Sequence, residues 1–325
     1  MLFLPWHLVS AYALDLAAGD PSWMPHPVRW IGRIIQWIEG CFYEADAPPA
    51  LQRLGGLILW MSVVAFVLSG TMVLIGVSYH IHKYLGYAVV IWITWTTLAT
   101  GSLHRESSKV AAALRAGDLD TARKRLSGLV SRDTAHLDEA GVLRALIETV
   151  SENISDGIVA PIFYLAVAGP LGAVFYKAVN TMDSMLGYAN ERYRYFGWFP
   201  ARADDAANWV PARLSGLLLV GAAACCSMDW RAAWRIMRRD ARLLKSPNAG
   251  FPESAAAGAL GVELGGESIY FGQPVSKPTL GDPAGPITLE TYRQALRLMY
   301  LASLLALLLA VCTLYGKMLF RSLHG

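Results

Sequence analysis

Long apolar runs, separated by polar segments that are rich in Pro and Gly, dominate the pattern of the chain. A helix that crosses a membrane needs about 20 mostly apolar residues. Three uncharged stretches meet this requirement, namely Gly55–Ser78, Gly86–Leu103 and Leu298–Tyr315. The pattern therefore predicts a polytopic helical membrane protein.

Two further apolar stretches carry interruptions. Ile158–Val179 contains prolines and Lys177, and Pro211–Met228 has Arg213 near its start. Broken helices at membrane depth are tolerated where they line a protein cavity. These two stretches either cross the membrane or enter it and return on the same side, so the pattern predicts three to five membrane segments. We prefer the second topology, because it separates the positive charge more completely.

The distribution of positive charge predicts the orientation. Residues 104–157 carry 8 Lys and Arg, residues 229–297 carry 9, and the connection after the first span carries only Lys83. Cytoplasmic loops are enriched in these residues. With two re-entrant stretches, 25 of the 28 Lys and Arg lie on the N-terminal side. We expect that side to face the cytoplasm of a cell inner membrane, and we expect the apolar N-terminus to be retained because it lacks a cleavage site.

The other segments are predicted to be helical. Amphipathic periodicity favours helices over residues 104–130 and 138–156 and an interfacial helix over Val28–Glu39. Residues 246–286 are predicted to form an irregular loop, and no strand alternation is convincing, so the fold class is all-α. The resulting segments are an N-terminal polar loop and interfacial helix (1–54), a transmembrane hairpin (55–103), cytosolic amphipathic helices (104–157), broken or re-entrant membrane segments (158–228), a cytosolic helix and Gly/Pro-rich loop (229–297) and a C-terminal transmembrane helix (298–325).

Composition narrows the class of protein. Hydrophobic residues make up 54% and charged residues 16%, with a formal net charge of +3. These values exclude a disordered chain, a coiled coil and a highly charged nucleic-acid binder. The four scattered cysteines give neither a disulfide framework nor a zinc ribbon. A P-loop, a dinucleotide fingerprint and the common hydrolase motifs are absent from the sequence.

Three carboxylates provide the first candidate site. Glu148, Glu152 and Asp156 follow one another at intervals of four residues, which places them on one helical face. Like charges at that spacing repel each other, and a bound cation would relieve the repulsion. Mg²⁺ fits because it combines a few carboxylates with water and phosphate oxygens. A solvated acidic face is the structural alternative.

Four more polar clusters border apolar segments, where ionisable groups are costly and commonly functional. Each cluster also has a plainer structural explanation. In chain order, the first is a stiff Pro-rich loop, the second makes hydrogen bonds between membrane helices, the third holds a surface ion pair between Arg202 and Asp205, and the fourth is an ordinary turn. The turn could instead hold an anion with free backbone N–H groups. The clusters comprise Asp20, His26 and Arg29; Lys177, Asn180, Asp183 and Ser184; Arg202, Asp204, Asp205, Asn208 and Arg213; and Ser246 with Asn248.

The motifs in these clusters resemble those of the CobD/CbiB family of adenosylcobinamide-phosphate synthases. The resemblance rests on GDPSWMPHPVRWIGR, IETVSENISDGIVAPIFY, YKAVNTMDSMLGY, ARADDAANWVPAR and SPNAG, in this order, and extends from about residue 14 to residue 272. It implies a membrane-bound step of cobalamin biosynthesis. In that step adenosylcobyric acid is joined through a carboxylate to (R)-1-amino-2-propanol, free or as its O-phosphate, with ATP as the activating substrate.

The residues suggest roles in such a ligation. We hypothesise that Glu148, Glu152 and Asp156, together with Asp183, hold Mg²⁺. Cationic side chains would neutralise phosphate, a carboxylate would take a proton from the amine, and amides and hydroxyls would contact the corrin or the ribose. In this hypothesis the phosphate ligands are Lys177, Arg202 and Arg213, the general base is Asp204 or Asp205 with His26 as a second candidate, and the hydrogen-bonding residues include Asn153, Asn180 and Ser184. Arg29, Asn208, Ser246 and Asn248 complete the predicted binding residues.

The expected partners are the corrinoid, aminopropanol phosphate and the lipid bilayer, with no nucleic acid. Other membrane enzymes of cobalamin assembly and a second copy of the chain are further candidates. A non-catalytic AmpE-like membrane sensor is the main alternative, and its disadvantage is that a sensor has no need for three acids on one face. A small transporter is a third interpretation, which the absence of a sequence repeat disfavours.

Overall fold

The computed structural model describes residues 3–21, 23–188, 190–270 and 272–324. Helices hold 74% of the chain, which confirms the predicted all-α class. In chain order the elements are α1 (Pro5–Ala18), α2 (Pro27–Phe42), α3 (Pro49–Ile81), α4 (Lys83–Trp95), α5 (Thr100–Arg115), α6 (Leu119–Leu126), α7 (Glu139–Asn153), a π-helical turn (Ile154–Val159), α8 (Ala160–Leu186), α9 (Trp198–Ala207), α10 (Trp209–Cys225), α11 (Trp230–Asp240), α12 (Gly250–Leu260), strands β1 (Leu264–Tyr270) and β2 (Gln273–Leu280), and α13 (Leu289–His324).

The chain divides into two compact units. Unit 1 comprises Met1–Ala99, Ala160–Asn208 and Leu307–Gly325, and unit 2 comprises Thr100–Val159 and Trp209–Ala306. In unit 1, buried aliphatic side chains of α2, α3, α4 and α8 form one core. In unit 2, α12 packs against α10 and α11, and the β1–β2 hairpin packs against α7 and α12.

Three helical segments are long and apolar enough to cross a membrane. They are α3, the continuous run Glu139–Leu186 and α13, whereas α10 is a shorter apolar helix. The chain is therefore a membrane protein. The predicted spans in α3 and α13 are confirmed by these helices, and the interrupted stretch 158–179 forms part of the second segment.

The predicted span Gly86–Leu103 is not one continuous helix. Helix α4 ends at Trp95. The hydroxyl of Thr96 donates to the carbonyl of Ile93 at 2.9 Å, and the hydroxyl of Thr97 donates to that of Thr94 at 2.7 Å. Local bonds from Thr side chains compete with the helical ladder, so an apolar composition alone was a poor guide to helix length here.

The segment 246–286, predicted as an irregular loop, is largely ordered. Helix α12 occupies Gly250–Leu260 and ends at Gly261, which has a left-handed φ of 65°. An antiparallel hairpin follows, with Tyr270 paired to Gln273 and a bulge between Leu264 and Gly266. The strands lack alternating hydrophobic residues, which is why the sequence pattern did not reveal them.

Two predicted helices are shorter than expected. The stretch 104–130 is divided into α5 and α6, because Gly117 adopts a positive φ of 75° and the side chain of Asp118 caps α6. The stretch 138–156 begins as predicted, with Asp138 accepting a hydrogen bond from the backbone N–H of Gly141 at 2.7 Å. It leaves α-helical geometry after Asn153, where the π-helical turn begins.

Candidate functional site

Unit 2 holds a cluster of charged side chains around the first two predicted carboxylates. Glu148 and Glu152 lie one turn apart on α7, and Glu253 of α12 interacts electrostatically with both. Arg132 and Lys277 are the cations that act on Glu152 and Glu253. We call these five residues the acidic cluster.

Glu148 is the most completely bonded member of the acidic cluster. Its Oε2 accepts from Arg132 Nη2, and its Oε1 accepts from the backbone N–H of Gly265 at 2.7 Å. Both side chains of the ion pair are nearly buried, at 10% and 6% exposure. Breaking such a pair leaves an uncompensated buried charge, so Glu148 has a clear structural role.

The bulge in the hairpin supplies one of these contacts. Gly265 has a φ of 84°, and a Cβ atom at this position would lie 2.3 Å from the carbonyl oxygen of Pro278. Only glycine fits both conditions. Because the bulge interrupts the strand pairing, the N–H of Gly265 is available to Glu148.

The loop before α7 fastens the same hairpin. The backbone N–H of Asp133 donates to the carbonyl of Ile269 at 2.8 Å, and the Asp133 carboxylate accepts from the N–H of Gly272 at 2.8 Å. Arg132 adds a bond of 3.3 Å to Ser268 Oγ. The hairpin is therefore held on the side that carries the acidic cluster.

Glu152 and Glu253 differ sharply in exposure. Glu253 is buried, whereas Glu152 keeps exposed surface although charged side chains surround it. Burial, followed by the nearby carboxylates of Glu152 and Glu148, raises the pKa of Glu253 well above its usual value. The structure thus places a carboxyl group with a raised pKa beside a glutamate that keeps exposed surface.

Lys277 balances part of this negative charge. Burial lowers the pKa of its ammonium group, but Tyr270 and Glu253 outweigh burial, so the pKa is raised overall and the lysine stays charged. Its Nζ lies 5.1 Å from the centre of the Tyr270 ring. Lys277 therefore remains a cation next to two carboxylates.

Sequence reasoning missed three members of this cluster. The spacing of polar residues does not point to Arg132 or Glu253, and Lys277 lies on β2, where the sequence predicts a loop. The motif that contains SPNAG continues into the sequence FPES, which includes Glu253. An acidic residue directly before an Ala-rich stretch is the sequence signal from which Glu253 could have been identified.

The predicted magnesium ligands Glu148 and Glu152 lie on α7, and Asp156 lies in the π-helical turn that follows. Within the described residues, no group of three or more His, Cys, Asp or Glu side chains is arranged to hold a metal ion. Asp156 is half-buried in the π-helical turn. Arg132 and Lys277 already offset part of the negative charge on the acidic face, so the repulsion between the carboxylates does not by itself require a bound cation. Magnesium binding stays a prediction.

Unit 1 contains a second polar network, centred on Asp204. Its Oδ1 accepts from Asn180 Nδ2 at 3.3 Å, and its Oδ2 accepts from Asn208 Nδ2 at 2.9 Å. The hydroxyl of Tyr176 donates to Asn208 Oδ1 at 2.8 Å. Asp204, Asn208 and Tyr176 are buried. Each oxygen of the Asp204 carboxylate therefore accepts a hydrogen bond from an asparagine side chain.

Asp205 has a different environment from its neighbour. It is half-buried and accepts from Arg202 Nη1 at 3.1 Å, which confirms the predicted ion pair. Burial raises the pKa of Asp205, and Arg202 opposes this only in part. A carboxylate with a raised pKa is the better proton acceptor.

The remaining predicted residues of unit 1 lie on several elements. His26 Nε2 is 3.1 Å from Asp20 Oδ1, and the exposed Arg29 lies in the first turn of α2. Lys177 and Asp183 are half-buried on α8. Ser184 donates to the carbonyl of Asn180 at 2.9 Å, which is a bond within its own helix.

The predicted anion-binding turn in unit 2 uses its own donors. The N–H groups of Asn248 and Ala249 donate to Ser246 Oγ at 3.3 and 3.2 Å, so neither is free for a ligand. Arg213 Nη1 lies 3.4 Å from Asn248 Oδ1. Asn153 donates to the carbonyl of Thr149 at 2.9 Å, again within its own helix.

The structure distributes the predicted residues over both units. Unit 1 contains the network around Asp204 and the ion pair of Asp205, and unit 2 contains the acidic cluster and the contact between Arg213 and Asn248. The predicted residues of unit 1 are His26, Arg29, Lys177, Asn180, Asp183, Ser184, Arg202, Asp204, Asp205 and Asn208, and those of unit 2 are Glu148, Glu152, Asn153, Asp156, Arg213, Ser246 and Asn248.

These features define a helical membrane protein with buried, charge-rich polar sites. The family model described as "CobD/Cbib protein" matches residues 8–299. The chain therefore belongs to the CobD/CbiB family, which confirms the resemblance seen in its motifs.

Similar proteins cover nearly the whole chain. The cobalamin biosynthesis protein CobD of Geobacter metallireducens is 48% identical, over 93% of this chain and 94% of the relative. CobD of Pelobacter propionicus is 45% identical, with 98% and 97% coverage, and the cobalamin biosynthesis protein CbiB of Salmonella choleraesuis is 43% identical, with 97% and 98% coverage. No solved structure matches the chain.

Proposed function

We propose that this protein acts in cobalamin biosynthesis as an ATP-dependent amide ligase, at the cytoplasmic face of the inner membrane. The substrates would be adenosylcobyric acid and (R)-1-amino-2-propanol, free or as its O-phosphate. Membership of a family whose similar members are named cobalamin biosynthesis proteins carries this proposal. The buried acid and cation networks support an enzymatic role, because a non-catalytic sensor has no need for them.

Amide formation from a carboxylate requires activation. In the proposed route, a carboxylate oxygen of the corrinoid attacks the γ-phosphorus of ATP, and ADP leaves. The amine nitrogen then attacks the acyl carbon, inorganic phosphate leaves, and the nitrogen loses a proton. Such a reaction depends on positioning and on neutralising phosphate charge rather than on a covalent enzyme group.

Asp205 fits the role of proton acceptor better than Asp204 does. Its raised pKa and partial exposure suit proton transfer. Asp204 is buried and accepts a hydrogen bond on each oxygen, so we assign it a positioning role for Asn180 and Asn208. Arg202, Lys177 and Arg213 remain the proposed phosphate ligands.

Glu152 is the acid best suited to a nucleotide-bound metal. The residue keeps exposed surface, whereas Glu148 is buried and bonded to Arg132 and Gly265. Mg²⁺ in nucleotide sites commonly uses one or two carboxylates together with phosphate oxygens and water. When bound, it would neutralise negative charge on the phosphates.

Product formation by purified variants tests this proposal. Wild-type protein in detergent receives both substrates, ATP and Mg²⁺, and the amide product is measured by mass spectrometry. We expect Glu152→Gln to lower the rate about 10- to 100-fold. As a control, Glu267→Gln changes an exposed acid on strand β1 and should leave the rate unchanged.

Two negative results have different meanings. If the wild-type protein makes no amide when both substrates, ATP and Mg²⁺ are present, the ligase proposal is wrong. If the wild type is active and Glu152→Gln matches it, the ligase proposal stands and only the role of Glu152 is refuted.

A further inference from the structure

An open cavity of about 490 Å³ lies in unit 1, apart from the polar networks described above. Its wall includes apolar side chains from α3 and α13, among them Met72, Ile75, Leu314 and Met318. Two cations, Lys317 and Arg321, also line it. The cavity thus combines an apolar wall with concentrated positive charge.

The break in α8 explains why a lysine lies here. Gly169 adopts a non-helical φ of 66°, and Pro170 has no N–H to donate. The carbonyl of Ala166 therefore loses its helical partner. Lys317 Nζ donates to the carbonyls of Ala166 and Val167 at 2.8 and 2.9 Å. The ammonium group caps the broken helix end, where a cation is favoured.

These two bonds leave the lysine with further binding capacity. An ammonium group has three donors, and carbonyl oxygens do not cancel its charge. Arg321 lies one helical turn beyond Lys317, is exposed and lines the same cavity. A guanidinium group presents a planar fork that matches phosphate oxygens. Together they supply the positive charge and the hydrogen-bond donors that a monoanionic phosphate requires.

The surface around the cavity indicates whether a lipid phosphate or a soluble phosphate would bind. Large apolar side chains are exposed next to the cavity on both membrane helices, including Met72 and Val73 of α3 and Leu319 and Phe320 of α13. Both helices are long and apolar enough to span a membrane. Lipid-facing apolar surface beside two cations is suited to a molecule with acyl chains and an anionic head, rather than to a free, water-soluble phosphate.

We propose that this cavity binds the headgroup of an anionic phospholipid. The phosphate would lie against Arg321 and the free donor of Lys317, and an acyl chain would follow the apolar wall formed by Met72, Ile75 and Leu314. The site is independent of the proposed ligase chemistry, since none of its residues belongs to the acidic cluster or to the network around Asp204.

Native mass spectrometry of detergent-purified protein with added lipid tests this site. We expect phosphatidylglycerol to be retained several-fold better than phosphatidylcholine. Arg321→Gln, which leaves the two carbonyl bonds of Lys317 intact, should reduce this preference several-fold. Lys83→Gln removes an exposed cation that does not line the cavity, so the preference should stay at the wild-type level.

Competition with inorganic phosphate distinguishes a lipid from a soluble anion. We expect millimolar phosphate to leave phosphatidylglycerol bound. Equal retention of both lipids, equal losses in Arg321→Gln and Lys83→Gln, or displacement by inorganic phosphate would each overturn the proposal.

Discussion

At the residue scale, the acidic cluster contains three carboxylates and two cations. Glu148 is matched to Arg132, and Lys277 faces both Glu152 and Glu253. The unmatched charge is removed at the lowest free-energy cost by protonating the buried acid that is not paired with Arg132, because desolvation penalises the charged form. Glu253 is therefore the member that should keep a proton at neutral pH.

Glu253→Gln tests this protonation state. A carboxyl group whose pKa is raised on folding stabilises the protein below its unfolded pKa, and that stability is lost as pH rises through the folded value. Wild-type stability should consequently fall as the pH rises above the ordinary glutamate pKa of about 4.5. The glutamine variant should lose most of this dependence when thermal unfolding is followed in detergent.

The exposed acid Glu267 supplies the control for that experiment. Glu267→Gln should retain the pH dependence of the wild type, since its side chain is exposed on β1. A Glu253→Gln variant with the same pH profile as the wild type would show that Glu253 is ionised in the folded protein.

The sequence located some site residues and missed others for physical reasons. The i, i+4 spacing of Glu148 and Glu152 is a local property of a helix, so it could be predicted. Their partners come from distant segments, and one of them depends on a bulge at Gly265 that has no apolar pattern. Long-range ion pairs therefore could not be predicted from spacing.

At the element scale, prediction succeeded where strong local signals agree. Asp138 caps α7 as a helix-initiating residue, and Pro27 begins α2 close to the predicted start at Val28. It failed for α12 and the hairpin, where glycines and prolines suggested a loop. In this segment, tertiary contacts of the Ala-rich helix α12 and of the bulged strand β1 outweigh the weak preference of the glycines and prolines for a loop.

Close packing of α3 against the segment before α9 gives an element-scale prediction. A Cβ atom at Gly56 would lie 1.9 Å from the carbonyl oxygen of Phe196. We expect Gly56→Ala to lower the free energy of unfolding by about 1–3 kcal/mol or more, because the two backbones must separate. Thermal unfolding in detergent measures the change.

The same helix provides a matched comparison. A Cβ atom added at Gly70 of α3 would have no neighbouring atom within 4 Å among the described residues, so Gly70→Ala should keep or slightly raise stability. Equal destabilisation of both variants would contradict the proposed close approach.

At the scale of the whole molecule, hydropathy indicates a membrane protein, and the distribution of charge predicts that its basic side faces the cytoplasm. Segments 104–157 and 229–297 contain most of the positive charge, and both belong largely to unit 2. Residues 79–85, between the first two predicted spans, contain Lys83 as their one Lys or Arg. These facts predict opposite sides for the two regions.

Thiol labelling in intact cells measures this orientation. The four natural cysteines are replaced by serine, and a single cysteine is introduced as Ser127→Cys or Tyr84→Cys, both at exposed positions. An impermeant maleimide should label Tyr84→Cys in intact cells and Ser127→Cys only after permeabilisation. The opposite pattern, or labelling of both in intact cells, would contradict the proposed topology.

The proposed reaction ties ATP cleavage to amide formation, and its stoichiometry can be measured directly. Purified wild-type protein in detergent receives Mg²⁺ and ATP with adenosylcobyric acid, with aminopropanol phosphate, or with both. We expect release of one ADP per amide, and little release when either substrate is missing. ADP release that does not depend on the two organic substrates, or amide formation without ATP, would contradict this coupling.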